Sequence, residues 1–201
     1  MAPVPADHRA GVNRVEMTSR IPRTLRTERL LVRAWSAADA AALHPVLLAN
    51  VTHLGPWIPA RVSTPAPVPQ LAERLAGYDA DFTTGRAFRY ALLTPDGAQV
   101  LGEVDLFPRA AAGRVPLADA DHVELGYWLD AAETGKGLAT EAARALFAVA
   151  ATLAGMTHVD IRCDIANGAS AAVPQRLGFH LATVEGELQV WRKALAGPAV
   201  V

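Results

Sequence analysis

Thr134-Gly-Lys-Gly-Leu-Ala-Thr140 sits between a stretch that alternates as a strand, His122 to Leu129, and one with helical periodicity, Leu138 to Leu153. The apolar face of that helix comprises Leu138, Ala142, Ala145, Leu146, Val149 and Leu153. A strand that turns through two glycines into a helix start has a chemical consequence. Glycine lets the backbone turn tightly and brings amide hydrogens close to a ligand. The first turn of a helix leaves its amide donors unpaired and carries partial positive charge. With Lys136 as a cation at the rim, the segment is suited to an anion such as a pyrophosphate. Neither the Gly-Lys-Ser/Thr phosphate loop nor the three-glycine dinucleotide pattern fits its spacing. Gly-Lys-Gly is also common in plain turns, so this stretch needs support from the rest of the chain.

Working outward, the chain alternates strand and helix patterns. Toward the N-terminus, Arg29 to Ala34 reads as a strand, and Ser36-Ala-Ala-Asp39 is a helix-start signal. Pro45 should break or kink that helix after about two turns. Residues 54–69 hold five prolines and read as a loop. Leu71, Leu75, Tyr78 and Phe82 then mark an amphipathic helix. Phe88 to Thr94 and Val100 to Phe107 form a hairpin about Pro95-Asp96-Gly97. Residues 109–120 read as a loop. Beyond the central helix, Gly155 lies where a helix C-terminus often has glycine. Val159 to Asp164 is a strand, a short helical segment follows, and Leu181 to Glu185 pairs with Leu188 to Arg192 about Gly186. The expected class is α/β with antiparallel strands at both ends. Residues 1–20 read as a flexible leader, 21–195 as a single domain and 196–201 as a flexible tail.

Composition narrows the function classes. The 201 residues are 51% hydrophobic and 19% charged, enough to bury a core. A formal net charge of −1 points to neither nucleic acid nor an anionic membrane. One cysteine, Cys163, excludes a disulfide framework within the chain and any multi-cysteine metal site; it reads as a small buried hydrophobe. The first twenty residues lack an apolar run of signal-peptide length, and no segment approaches the roughly 18 apolar residues of a membrane span. A cytoplasmic protein, monomer or homodimer, is expected. His44, His53, His122, His158 and His180 show no shared ligand spacing, so no metal is expected.

About thirty residues beyond the glycine loop stands Asn167-Gly-Ala-Ser170, followed by Leu177-Gly-Phe179. Taken singly, Asn167 and Ser170 read as helix caps. Taken together with Glu124-Leu-Gly-Tyr-Trp-Leu129, Gly135-Lys-Gly-Leu-Ala-Thr-Glu-Ala142 and Thr27-Glu-Arg-Leu-Leu-Val-Arg33, they resemble the GNAT acetyltransferase family, in particular its Rim-type branch. The resemblance covers roughly residues 25–194. It implies a GNAT fold, a mixed splayed central β-sheet flanked by helices, with acetyl-CoA as co-substrate and an amine as acceptor. The strands 122–129 and 159–164 would diverge and hold the pantetheine arm, with Tyr127, Trp128 and Leu129 on one wall and Asn167 and Ser170 on the other. The amides of Gly135, Lys136, Gly137, Leu138, Ala139 and Thr140 would take the pyrophosphate. Two positions depart from the family pattern. Thr134 stands where Gln or Arg is usual, and Pro174 stands where many members have a tyrosine acid. The resemblance to the Rim-type branch, whose members have a serine at this position, implies Ser170 as the proton donor to the leaving thiolate.

An amine with pKa of about 8 to 10 is mostly protonated at neutral pH, so its attack needs a base or a water chain. His122, Glu124, Gly126 and Trp128 share one strand face, opposite a core face of Val123, Leu125, Tyr127 and Leu129. Glu124 is the first candidate base. Glu103 and Asp105, on one face of the hairpin strand, are next, and Glu187 follows. For each, a solvated edge or an ion pair is the competing reading. Trp57, in the proline-rich loop, would line the acceptor site, whereas Trp128 reads better as a packed aromatic. A non-catalytic acetyl-CoA-binding module of the same fold is the alternative function, and an unrelated α/β structural protein is a third. The acceptor itself, whether a protein N-terminus, a small amine or amino acid, or an aminated antibiotic, is left open.

Overall fold

Pro95-Asp96-Gly97 does close a hairpin, and from it the sheet grows in both directions. Residues 21–195 are described by a computed structural model; the expected leader 1–20 and tail 196–201 lie outside the described residues. In chain order the elements are β1 (Thr24–Arg26), β2 (Leu31–Ala34), α1 (Ala40–Ala49), α2 (Val51–Leu54), α3 (Ala60–Ser63), α4 (Val68–Thr84), β3 (Phe88–Leu93), β4 (Val100–Ala110), β5 (Gly113–Arg114), β6 (His122–Leu129), α5 (Leu138–Ala150), β7 (His158–Asp164), α6 (Gly168–Arg176), β8 (His180–Glu185) and β9 (Leu188–Ala194). The strands form one mixed sheet in the order β1-β2-β3-β4-β6-β7-β9-β8, with β5 folded back on the end of β4.

Every neighbouring pair is antiparallel except β6 and β7. These two pair only at Val123–Val159, Glu124–Asp160 and Leu125–Ile161. Beyond that, Gly126 to Leu129 pair with β4 alone, and Arg162 to Asp164 with β9 alone. The sheet therefore splits where the strands end. The resemblance implied this splay, and no strand pattern by itself reveals it, since each parting strand keeps a partner on its outer side.

Both faces of the sheet are covered. On one, α5 packs Leu138, Ala142 and Leu146 against Val104, Leu106, Val123 and Leu125. On the other, α1 and α4 pack Leu43, Leu47, Leu71 and Leu75 around Trp35, Ala91 and Trp128. A fully buried leucine such as Leu125 contributes roughly 1.5–3 kcal/mol. Strand alternation explains the division: Val123 and Leu125 face α5, while Trp128 lies on the opposite face and is a packed aromatic.

Several boundaries differ from expectation, each for a physical reason. The first strand starts at Leu31, because Thr27 turns the chain: its amide donates to the Leu30 carbonyl and its Oγ1 accepts from the Leu30 amide. A short strand, β1, precedes that turn and was not foreseen. Pro45 neither ends nor breaks α1, which runs through to Ala49 with Leu43 and Leu47 buried on either side of the proline. The proline-rich stretch is partly helical. Pro59 and Pro67 occupy the N-cap positions of α3 and α4, and Pro69 falls in the first turn of α4, where a missing N–H loses no helical bond. The expected loop at 109–120 is shortened by β4, which reaches Ala110, and by β5. At Gly102 in β4 a Cβ would lie 2.1 Å from the Trp128 carbonyl oxygen, so only glycine lets β4 approach β6 there.

Candidate active site

A cavity of about 1400 Å³ opens at the split between β6 and β7 and continues along both faces of the sheet. Register and alternation decide what lines it. Asp105 faces Gly126 across the β4–β6 ladder, Glu103 faces Trp128 and Phe107 faces Glu124. These six share the face covered by α1 and α4, together with Arg89, which pairs with Asp105. Tyr127 and Leu129 point to the α5 and α6 face. The split thus joins an acidic chamber on one side to the glycine loop on the other.

On the loop side, Gly135 and Gly137 have φ of 74° and 81°, and Gly137 caps α5. That left-handed backbone lets the chain turn tightly into α5 beside the cavity. Thr140 Oγ1 is buried there without a hydrogen-bond partner. Leu138 can offer only its amide, because its side chain is in the core. Lys136 pairs with Glu133 at 3.0 Å, and Thr134 Oγ1 turns inward to donate to the Ala131 carbonyl. The loop is braced from the turn between β1 and β2. Glu141 accepts from Thr27 Oγ1 at 2.6 Å, the Arg29 amide at 2.9 Å and Arg29 Nε at 2.7 Å, and Arg29 Nη1 donates to the Lys136 carbonyl at 2.9 Å. Burial pushes the Glu141 carboxyl up, but these donors outweigh it and hold it below its ordinary value. The Thr27-Glu-Arg29 motif therefore fixes a helix terminus more than a hundred residues away. Arg144 and Arg176 line the outer end of the cavity, cations that sequence reading passed over.

On the β7 side, Asn167 Oδ1 accepts from the Ser170 amide at 3.0 Å and caps α6. The Ser170 hydroxyl donates to Tyr127 Oη at 3.3 Å, and Tyr127 Oη donates to the Ser170 carbonyl at 2.8 Å. Tyr127 is thus tied across the split to the start of α6, and burial raises its hydroxyl well above the ordinary tyrosine value. Cys163 is buried beside them, with burial raising its thiol as well. Pro174 is buried inside α6 and offers no proton.

In the acidic chamber the three carboxylates differ sharply. Glu103 is fully engaged: it accepts from Trp35 Nε1 at 2.7 Å and from Arg89 at 3.1 Å. Glu124 enters the cavity but is held by arginines, with Arg109 at 2.5 Å, Arg114 at 3.8 Å and Arg162 at 3.9 Å. Glu124 Oε2, like Asp105 Oδ1, has no hydrogen-bond partner, but Asp105 has no ion pair as close as that of Glu124 with Arg109. Asp105 is buried, and Arg89 comes no nearer than 3.7 Å. Burial, and then the neighbouring Glu103 charge, push its carboxyl well above the ordinary range. Trp57 lines the chamber mouth and is partly exposed, as its place in a proline-rich loop suggested. Glu187 does not line the cavity.

His122, His158 and Asp160, at the opposite end of β6 and β7, bring one ligand atom each within 4.8 Å. Sequence spacing could not show this, because the three meet only through parallel pairing. Asp160 is already bound through both oxygens by Arg192 at 2.8 Å. Among the described residues no helix is long and apolar enough to cross a membrane.

Comparison with known proteins agrees with this geometry. The family model described as acetyltransferase (GNAT) domain matches residues 29–180. The Bacillus subtilis (strain 168) protein YdaF, provisionally named a ribosomal N-acetyltransferase, is 26% identical over 162 residues, 76% of this chain and 78% of its own. Among solved structures, the ribosomal-protein-S5-alanine acetyltransferase of Vibrio fischeri superposes with a TM-score of 0.69 at 20% identity, covering 86% of this chain and 96% of that one. Mycobacterium smegmatis RimJ in complex with CoA-disulfide superposes with a TM-score of 0.68 at 23% identity, covering 82% and 81%. Such similarities establish the shared fold, and the family match spans most of the described sheet, its split and the glycine loop. The chain belongs to the GNAT family of acetyltransferases, enzymes that use acetyl-CoA to acetylate an amine.

Proposed function

We propose that the amine acceptor enters the acidic chamber, that Asp105 takes its proton, and that Ser170 protonates the departing sulfur on the other side of the split. One observation carries this reading: Asp105 pairs in register with Gly126, where β6 leaves β7, and its buried carboxyl keeps Oδ1 free of hydrogen bonds. A general base must be unpaired, within reach of the reacting nitrogen, and have a pKa near the working pH. Asp105 has a buried oxygen free of hydrogen bonds and a carboxyl raised well above its ordinary range, whereas Glu103 is occupied by donors and Glu124 is ion-paired with arginines. Gly126 leaves the approach open, because a side chain there would stand 3.7 Å from Asp105 Oδ2.

Acetyl-CoA supplies the activated acetyl group. The amides of Gly135 to Thr140 and the Thr140 hydroxyl bind its pyrophosphate, and Arg144 and Arg176 add positive charge at the outer end. Tyr127, Leu129 and Asn167 wall the pantetheine channel. Trp128 backs it from the opposite face, where its indole packs beside Trp35. Tyr127 holds Ser170 in position, and the serine hydroxyl turns from Tyr127 Oη to pass its proton to the sulfur as it takes one from solvent. A thiolate with pKa of about 8.5 is already a fair leaving group, so this donor assists rather than controls the reaction. Trp57, Glu103 and Asp105 form the acceptor side.

Thermal unfolding with and without acetyl-CoA, followed by thiol release with a panel of primary amines, tests the reading. Acetyl-CoA at about 100 times its Kd should add about 2.7 kcal/mol of stability, and free acetate should add none. An unchanged melting midpoint at millimolar acetyl-CoA, or no thiol release with any amine, refutes it.

A further inference from the structure

The acidic chamber has a basic floor. Two residues along β4 and β6 from the Asp105–Gly126 pair lies Phe107–Glu124. Three arginines converge there from separate elements, Arg109 from β4, Arg114 from β5 and Arg162 from β7, and Arg61 from α3 lines the same cavity. Glu124 is the carboxylate the three share, and it does not satisfy them. Arg109 takes its Oε2 at 2.5 Å, while Arg114 and Arg162 stand at 3.8 and 3.9 Å, outside hydrogen-bond distance. Arg162 is otherwise bound to Glu185 at 2.7 Å. The Arg114 guanidinium carbon sits over the Phe107 ring, 3.6 Å from its centroid. Arg61 has no ion-pair partner among the described residues, and both it and Arg114 line the cavity.

We infer that this floor is an anion subsite, built by Arg61 and Arg114 with Arg162 across the split, and that the acceptor carries a carboxylate or phosphate. This inference rests on the reading of Asp105 as the base, because that places the amine. Two residues along a strand span about 7 Å, which sets the separation between the reactive nitrogen and the anion. Neighbouring guanidiniums repel one another, and an anion bound among them relieves that repulsion. Burial, joined by repulsion from Arg109, Arg89 and Arg61, lowers the Arg114 pKa even against the attraction of Glu124. Guanidinium is also suited to this task, since its planar fork grips carboxylate or phosphate with two hydrogen bonds.

A molecular ruler tests the subsite. The acceptors are ω-amino acids of increasing length, from glycine to 6-aminohexanoate, each paired with its neutral primary amide, and ω-aminoalkyl phosphates serve as the phosphate arm. With acetyl-CoA, kcat/KM for the anionic member should exceed that of its amide by about 10- to 100-fold, with the ratio greatest near a 7 Å span. Whichever of carboxylate and phosphate shows the larger ratio identifies the anion. In Arg114→Gln and Arg61→Gln the ratio should fall toward one. Binding of each pair to the CoA-loaded protein is measured by calorimetry in parallel, so the subsite is decided even if neither member turns over. Equal binding of acid and amide overturns the anion subsite. Tighter binding of the acid without thiol release supports the subsite and overturns the assignment of the amine to Asp105. A ratio unchanged in both arginine variants overturns the residues named.

Discussion

Asp105→Asn separates the chemistry of the chamber from its stability, because the two should move in opposite directions. The side chains have nearly the same shape, and the site is already shaped around Gly126 and Phe107. What changes is charge and basicity. The wild-type carboxyl is raised by burial and by Glu103, so the folded protein holds its proton more tightly than the unfolded chain does. The stability that Asp105 contributes is therefore complete below the unfolded value of about 3.9, and is lost as pH rises through the folded value. Asparagine carries no such penalty. At pH 8 the variant should melt higher than wild type, by roughly 2–4 °C for each kcal/mol regained, and the difference should shrink toward pH 4. Its amide can also donate to Glu103, which in wild type opposes a second carboxylate. Catalysis should show the opposite sign. Loss of a general base typically costs about 100- to 10,000-fold, so kcat/KM should fall by at least a hundredfold with acetyl-CoA affinity unchanged. Wild-type kcat/KM should rise with pH as Asp105 and the amine lose their protons, and the lower of these two steps should vanish in the variant. The assays are differential scanning fluorimetry from pH 4 to 9 and continuous thiol release. A variant with kcat/KM within threefold of wild type, or one that melts lower at pH 8 than at pH 5 relative to wild type, refutes the reasoning.

Ser170→Ala should lower kcat by about one to two powers of ten with acetyl-CoA affinity within a few-fold; turnover at the wild-type rate with an earlier melting midpoint would reduce Ser170 to part of the α6 cap. Gly137→Val should weaken CoA binding more than folding: the added Cβ meets only Arg29 Nη2 at 3.6 Å inside the protein, but the φ of 81° is strained for valine and the loop amides would turn away. Calorimetry with CoA on the folded variant checks this, and unchanged affinity removes the loop from the site. Gly102→Ala should cost several kcal/mol or abolish soluble expression, since its methyl would sit 2.1 Å from the Trp128 carbonyl oxygen, and a variant that melts within 3 °C of wild type would show that β4 and β6 can separate there.

Much of this protein is written locally. The alternation of His122 to Leu129, the apolar stripe of α5, the Pro95-Asp96-Gly97 turn and the glycine loop are each short-range patterns, and the strand His122–Leu129 ends where the sequence puts it. Composition and the order of four motifs were enough to indicate the family. Proline-rich stretches misled, because a proline in a first helical turn and one in a loop look alike in sequence, and only packing distinguishes them. Which carboxylate is free was beyond the sequence altogether. Glu103, Asp105 and Glu124 lie on the same face by alternation, but one is claimed by Trp35 and Arg89 and another by arginines from β4, β5 and β7. Those partners come from 14 to 68 residues away in the case of Glu103, so they exist only once the sheet is assembled. The same holds for the bond between Tyr127 and Ser170, the brace from Arg29 to Glu141 and the basic floor of the chamber. Periodicity is set by neighbours along the chain and survives in the sequence. The protonation and availability of a side chain are set by neighbours in space, and only the tertiary structure decides them.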